Sequence, residues 1–126
     1  MTTNRRALDV QLKRVYDDAE PDDGARVLVD RLWPRGLAKD RAEFDAWDKE
    51  VAPSDELRRW YGHDPARFEE FAERYRQELA AADSRAVLDR LRDHARAGRL
   101  TLLTAAKDLP HSHVTVLAEI LTSRTG

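Results

Sequence analysis

Two short runs of apolar residues constrain the fold of this chain most strongly. Val27, Leu28 and Val29 stand within 25–30, and the sequence LTLLTA fills 100–105. Short, largely apolar stretches of this kind are typical of strands covered on both faces of a sheet. We therefore expect two buried strands, the first of them at the centre of the sheet, and a half-exposed strand over 9–15 where apolar and polar residues nearly alternate.

Helical patterns fall between and after these strands. The clearest helix carries apolar side chains at spacings of three and four, namely Phe68, Phe71, Tyr75 and Leu79. Other helices are expected after the N-cap Ser54, from Ser84 as a cap to about Gly98, and over 110–121. The segment 43–51 fits neither a strand nor a helix pattern well. Helical crossovers require parallel strands with right-handed connections. The sequence thus predicts a single α/β domain over 1–126, with three layers, a mostly parallel sheet and helices on both faces.

Composition excludes several functional classes. The chain has no cysteine, so it forms no disulfide and has no thiolate nucleophile, cysteine-bound zinc or iron–sulfur cluster. With 22 Lys and Arg against 24 Asp and Glu and a net charge of -2, it has no global field that attracts nucleic acid or anionic lipid. The phosphate-binding motifs GxGxxG and GxxxxGK[ST] and the hydrolase motifs GxSxG and HExxH are absent from the sequence. We expect no cofactor.

The hydropathy of the chain bears on its location. The first ten residues, MTTNRRALDV, lack the apolar stretch of a signal peptide, and no window approaches the roughly 20 apolar residues of a spanning helix. These features predict a cytoplasmic protein without a membrane partner. They leave the formation of homo-oligomers open.

A polar loop leaves the first buried strand and is the first candidate site. Its candidate ligand-binding residues are Asp30, Arg31, Trp33, Arg35 and Lys39. Three cations on a loop stiffened by Pro34 suit a phosphate or a carboxylate, which a guanidinium binds with two hydrogen bonds. The alternative is a solvated basic turn in which Arg31 pairs with a carboxylate, and Trp33 could equally belong to the core or to a lid.

A second polar segment follows the last strand. Lys107 is a further candidate for anion binding, and Asp108 and His113 are candidates for proton transfer. In the first turn of a helix His113 is favoured as a neutral proton acceptor. The alternative is that Asp108 caps the helix, Lys107 forms a salt bridge and His113 lies at the surface. Ligands of open α/β sheets bind at the carboxyl ends of the strands, so the two segments converge if their strands are parallel neighbours.

A metal site is weakly supported. Asp108, His111 and His113 are potential ligands, but two histidines at a spacing of two point to different sides of a helix, and the sequence offers no evident fourth ligand. We therefore predict no metal site.

Several motifs together resemble a known family. They are DRLWPRGL from Asp30, APS from Ala52, WYGHDPARFEEFAERYRQEL from Trp60 and LLTAAKDLPHSH from Leu102. In this order they resemble the YeaO-like branch of the domain-of-unknown-function family 488, whose members are similar in plan to an α/β domain. Other branches of that family carry late cysteines that this chain lacks, so the resemblance implies no thiol chemistry here. It does imply that the segments 30–36 and 105–113 belong together.

Two functions are consistent with these patterns. The first is a small enzyme or binding domain for an anionic small molecule, with Arg31, Arg35 and Lys107 holding the anion. The second is a non-catalytic interaction or regulatory module in which Trp33, Trp47 or Trp60 forms a partner surface. An anion bound between the two strand-end loops would favour the first function, and an apolar patch over them would favour the second.

Overall fold

A computed structural model describes residues 8–122. The strands are β1 (Asp9–Arg14), β2 (Ala25–Leu28), β3 (Ala46–Trp47) and β4 (Arg99–Thr104). The helices are α1 (Asp55–Tyr61), α2 (Phe68–Leu79), α3 (Ala82–Ala97) and α4 (His113–Thr122). Residues 1–7, which carry most of the expectation about a signal peptide, lie outside the described residues, as do residues 123–126. Across 8–122, every helix is too short or too polar to span a membrane.

The strands form one parallel sheet in the order β1-β4-β2-β3. Val27 of β2 lies between Leu102 of β4 and Ala46 of β3. The inner strands β2 and β4 are those that contain the two apolar runs, and Val27 and Leu102 are both fully buried. The predicted α/β class with a parallel sheet is confirmed.

The direction of each crossover explains how the layers form. From β1 to β2 and from β2 to β3 the chain moves toward one edge of the sheet, and from β3 to β4 it moves back. Because crossover connections between parallel strands are right-handed, two connections that run in opposite directions across a sheet lie on opposite faces of it. The return connection contains α1, α2 and α3, which pack on one face together with α4. The forward connections cover the other face with loops and two short 3-10 turns, Pro21–Asp23 and Lys39–Arg41.

The larger core lies between the sheet and the helices. Strand alternation points Val27, Val29 and Leu102 toward this face, where helical side chains meet them. The buried helical residues include Leu57, Phe71, Tyr75, Leu91, Val114 and Leu117. Burying each large apolar side chain contributes about 1.5–3 kcal/mol, so this layer supplies most of the hydrophobic stabilisation.

A smaller core lies on the opposite face. Leu28 and Leu103 point toward it and are covered by Leu37 and Phe44 from the loop between β2 and β3 and by Trp47 of β3. The segment 43–51, to which the sequence assigns no element, contributes the short strand β3 and a 3-10 turn over Lys49–Val51. Its mixed pattern results from this change of structure within nine residues.

Capping explains where the helices begin and end. Ser54 caps α1, its hydroxyl accepting a hydrogen bond from the Leu57 amide at 3.1 Å, and Gly62 ends the helix in a left-handed conformation with φ of 55°. Two boundaries differ from expectation. Helix α3 begins at Ala82, so Ser84 lies inside its first turn and is buried. Helix α4 begins at His113, after a 3-10 turn over Leu109–His111.

Candidate functional site

A pocket of about 270 Å³ lies at the carboxyl edge of the sheet, beside the ends of β2 and β4. Residues 30–35 after β2 line it, and so do Thr104 at the end of β4 and residues of the following segment 105–113. The structure therefore brings the two polar segments together, because β2 and β4 are parallel neighbours. The volume lies just below the roughly 300–1,000 Å³ common for small-molecule pockets, which suits a small ligand.

Asp30 lines this pocket and is held by two hydrogen bonds. Its Oδ2 accepts a hydrogen bond from the Ala105 amide at 2.8 Å, and its carbonyl oxygen accepts one from Trp47 Nε1 at 2.6 Å. The side chain is 16% exposed. Asp30 thus links the ends of β2, β3 and β4, and its carboxylate is fixed in position before any ligand binds.

His113 packs against Asp30. Its Nε2 lies 3.0 Å from the Val29 carbonyl oxygen and 3.3 Å from Asp30 Oδ1, and its side chain is 12% exposed. Both neighbouring atoms accept hydrogen bonds and neither donates one. Nε2 must therefore carry the proton, and in the neutral imidazole the proton acceptor is Nδ1.

The Asp30 carboxyl ionises more readily than usual. Burial acts to raise its pKa, but the adjacent His113 imidazole and the Ala105 amide outweigh burial and lower the pKa below the ordinary value. Asp30 is therefore a carboxylate near neutral pH. Its Oδ1 and Asp48 Oδ2 are the buried side-chain atoms in 8–122 that lack a hydrogen-bond partner.

Three arginines line the pocket, and they differ in how they are held. Arg31 donates from Nε to the Pro53 carbonyl and from Nη2 to the Ala52 carbonyl, both at 3.2 Å. Arg58 forms an ion pair with Asp55 at 3.1 Å, and this hydrogen bond is the main cause of the lowered pKa of Asp55.

The guanidinium of the third arginine, Arg35, is uncommitted. Its side chain makes no hydrogen bond or ion pair with any residue between 8 and 122, and it is exposed. Only its backbone carbonyl is engaged, by the Tyr16 hydroxyl at 2.7 Å. Arg35 is therefore the lining cation with the most donors left for a ligand.

A second pair of acidic and imidazole side chains stands at the pocket wall. Asp108 Oδ2 lies 2.8 Å from His111 Nδ1, and both side chains are about half exposed. Asp108 also accepts from the His111 amide, which caps the 3-10 turn and not α4 as the sequence suggests. The Tyr61 hydroxyl donates to the His111 carbonyl at 2.6 Å. Burial raises the pKa of Tyr61, and Asp108 adds to this.

Two of the predicted binding residues do not line the pocket. Lys39 lies in an exposed 3-10 turn, and Lys107 is exposed on the segment after β4. Trp33 lines the pocket, but its ring packs against Phe44 and Trp47 with centroids 5.7 and 5.6 Å away. Trp33 is therefore mainly a wall of the pocket.

The pocket-lining residues that lie on or next to α1 and α2 were not identified from the sequence. Arg58 and Tyr61 of α1, His63 and Phe71 all line the pocket. The sequence does contain a signal for Arg58 and Tyr61 as site residues. Helix α1 follows β3 in the chain, and Arg58 and Tyr61, which are three residues apart, share one face of that helix. The spacing alone does not tell which edge of the sheet that face meets.

The tryptophans do not form an open surface. Trp33 Nε1 donates to the Leu37 carbonyl at 2.8 Å, and Trp60 is covered by the guanidinium groups of Arg67 and Arg74. All three tryptophans are half-buried. Among residues 8–122 the large exposed apolar side chains are Tyr16 and Leu32, which leaves little apolar area for a partner. In the same part of the chain, no three His, Cys, Asp or Glu side chains are grouped to hold a metal ion.

Comparison with known proteins gives a consistent family assignment. The sequence profile described as the inactive DUF488-N3 subclade matches residues 9–126. An uncharacterised protein of Mycobacterium tuberculosis is 50% identical over 115 residues, which are 91% of this chain and 95% of that protein. The uncharacterised protein YeaO of Escherichia coli is 46% identical over 116 residues, covering 92% of this chain and 99% of YeaO. No solved structure matches the chain significantly.

Proposed function

The chain belongs to the DUF488 family, in the subclade described as inactive DUF488-N3, and from this membership and the pocket we propose that it binds a small anionic molecule without transforming it. The resemblance inferred from its motifs is thereby confirmed. The proposal assigns the binding role to one domain, in the cytoplasm, as the hydropathy of the chain predicts.

The uncommitted guanidinium of Arg35 is the observation that carries the proposal. Neighbouring guanidinium groups repel one another unless an anionic group lies between them. Asp55 lies within ion-pair distance of both Arg58 and Arg31, whereas Asp30 faces His113 and Asp108 faces His111. No carboxylate among residues 8–122 compensates Arg35. An anion in the pocket would supply that compensation.

The position of the pocket supports the same function. Open α/β sheets bind ligands at the carboxyl ends of their strands, where loops and helix N-termini meet. Helix α4 begins at His113 on the pocket wall, and the N-terminal end of a helix favours negative charge. The apolar side chains of Trp33, Pro34 and Phe71 also line the pocket, which suits a ligand with an apolar part.

The description of the subclade supports binding over turnover. The name of the matching profile contains the word inactive. The two candidates for proton transfer, Asp108 and His113, each contact a different residue, His111 and Asp30 respectively. We therefore assign neither residue a catalytic role in this proposal.

A binding assay with two alanine variants tests the proposal. Purified protein is titrated with inorganic phosphate, small phosphate monoesters and small carboxylates, and the shift in thermal unfolding is measured, since a ligand that binds only the folded state raises the midpoint. Arg35→Ala should abolish the shift. Lys39→Ala removes an exposed cation that does not line the pocket and should leave the shift unchanged. Equal shifts in both variants, or none in the unmodified protein, would refute the proposal.

A further inference from the structure

We infer that the ligand of this pocket is a hydroxylated anion, in which a hydroxyl group stands close to the phosphate or carboxylate. This inference rests on the proposed function, since it specifies the ligand of the same pocket. It follows from hydrogen-bond acceptors that the proposed anion alone would not use.

The first acceptor is Nδ1 of His113. Nε2 of this ring faces the Val29 carbonyl oxygen and Asp30 Oδ1, which fixes its proton there. Nδ1 makes no hydrogen bond with residues 8–122, and it is not among the buried unpartnered atoms of that part of the chain. Nδ1 is therefore accessible, and the pocket is the space that His113 lines.

The second acceptor is Nε2 of His111. The other nitrogen of this ring, Nδ1, lies 2.8 Å from Asp108 Oδ2, so Nδ1 carries the proton and donates it to the carboxylate. Phe68 packs edge-on against the imidazole with ring centroids 5.4 Å apart, and the Tyr61 hydroxyl donates a hydrogen bond to the backbone carbonyl of His111. The ring is thus oriented at the pocket wall, with Nε2 as an acceptor in the neutral imidazole.

The pocket therefore has two chemically different sides. Arg35 and the remaining donors of Arg31 suit the oxygens of an anionic group. His113 Nδ1 and His111 Nε2 suit a donor, and a bare anion would place its oxygens against their lone pairs. One small molecule that carries both a hydroxyl and an anionic group satisfies both sides of a pocket of about 270 Å³.

Matched ligands test this inference by isothermal titration calorimetry at pH 8, above the range in which histidines ordinarily titrate. Lactate is compared with propanoate, and glycerol 3-phosphate with propyl phosphate, so that each pair shares its anionic group and differs in hydroxyl groups. We expect the hydroxylated member of each pair to bind on the order of tenfold more tightly, as a net hydrogen bond allows.

Variants of His113 assign the preference to Nδ1. His113→Leu should bind both members of each pair with equal affinity. His113→Gln should recover part of the preference, because the amide nitrogen can donate toward Asp30 while the amide oxygen accepts from the ligand. His94→Gln, in α3 and away from the pocket, should behave like the unmodified protein. If His113→Leu does not fold, the comparison of ligand pairs on the unmodified protein still decides the question.

Three results would count against the inference. Equal binding within each pair would overturn it and leave the proposed function standing. Uptake of about one proton on binding, measured in Tris and in HEPES buffer, would show that a protonated imidazole of the pocket donates to the anion, which also overturns the inference. Failure of all four compounds to bind, together with the absence of any thermal shift with other anions, would refute the proposed function itself.

Discussion

Asp30 Oδ1 lies 3.3 Å from His113 Nε2, which couples the end of β2 to the first residue of α4. The contact joins the two polar segments that the sequence places at strand ends. It also determines the orientation of the His113 ring, because the second neighbour of Nε2, the Val29 carbonyl, accepts as well. One carboxylate thus organises the pocket, although nothing in the local sequence pairs it with His113.

Replacing Asp30 with Asn tests this organisation. Asp30→Asn should lower the free energy of unfolding at pH 7 by about 1–3 kcal/mol, because the NH2 group of Asn must face either the Ala105 amide or His113 Nε2, and both of these groups donate. The pKa of Asp30 is lower in the folded protein than in the unfolded chain. Its contribution is therefore fully present above the unfolded pKa of about 3.9 and is lost as pH falls through the folded pKa.

Urea unfolding between pH 7 and pH 3 measures that difference. The gap between Asp30→Asn and the unmodified protein should narrow as the pH falls. Asp108→Asn is the matched control, and at this half-exposed position it should cost less than about 1 kcal/mol. A gap for Asp30→Asn that stays constant down to pH 3 would show that the carboxylate charge is not the stabilising feature.

A buried ion-pair cluster on the other face of the sheet gives the second prediction. Asp23 is almost completely buried and forms ion pairs with Lys13 at 3.0 Å and with Arg26. Asp23→Asn should cost about 3–5 kcal/mol, because it leaves two largely buried cations without their carboxylate. The exposed neighbour Asp22 provides the control, and Asp22→Asn should be nearly neutral.

The same cluster predicts how the free energy of unfolding depends on pH. Burial acts to raise the pKa of Asp23, but the hydrogen bonds from Lys13, the Glu20 amide and Arg26 lower it far below the ordinary value. The stability that Asp23 supplies is present above the unfolded pKa of about 3.9 and declines below it. Between pH 5 and pH 2 the unmodified protein should lose more stability than Asp23→Asn, as monitored by circular dichroism. Parallel losses would contradict this assignment.

The elements of the fold could be predicted from sequence because their signals are local. Val27 and Leu102 stand in short apolar runs, and Phe71 and Tyr75 recur on one helix face, so β2, β4 and α2 follow from periodicity. Alternation of strands and helices then implies a parallel sheet. The face that the helices cover is not local information, because it depends on the strand order β1-β4-β2-β3.

The site could be predicted only in part for the same reason. The ends of β2 and β4 located Asp30, Arg31, Arg35 and His113 in one region. Lys39 and Lys107 lie on the same segments but do not line the pocket, since the path of a loop is set by contacts such as Trp33 Nε1 with the Leu37 carbonyl. No periodicity in the sequence encodes that path.

Gly24 gives a prediction about the start of β2. Its φ is 65°, and a Cβ at this position would lie 2.1 Å from the Arg99 carbonyl oxygen in the adjacent strand β4. Gly24→Ala should therefore destabilise the protein by more than about 2 kcal/mol, from backbone strain and from separation of the strand ends. Gly36→Ala is the control. It has a similar φ of 79° but open space around its Cβ position, so thermal unfolding should show the smaller loss.

The last prediction separates structural from ligand-binding arginines in the ligand-free protein. Arg31 donates to the carbonyls of Ala52 and Pro53, which lead into α1, so Arg31→Ala should remove two hydrogen bonds and cost about 1–3 kcal/mol. Arg35 makes no such side-chain contact within 8–122, and Arg35→Ala should change stability by less than about 0.5 kcal/mol. A slight gain is also consistent, because removing a cation relieves repulsion from Arg31. Denaturant unfolding of the two variants decides the matter. If Arg35→Ala is as destabilised as Arg31→Ala, the arginines of this pocket form a structural network, and the anion-binding role assigned to Arg35 is wrong.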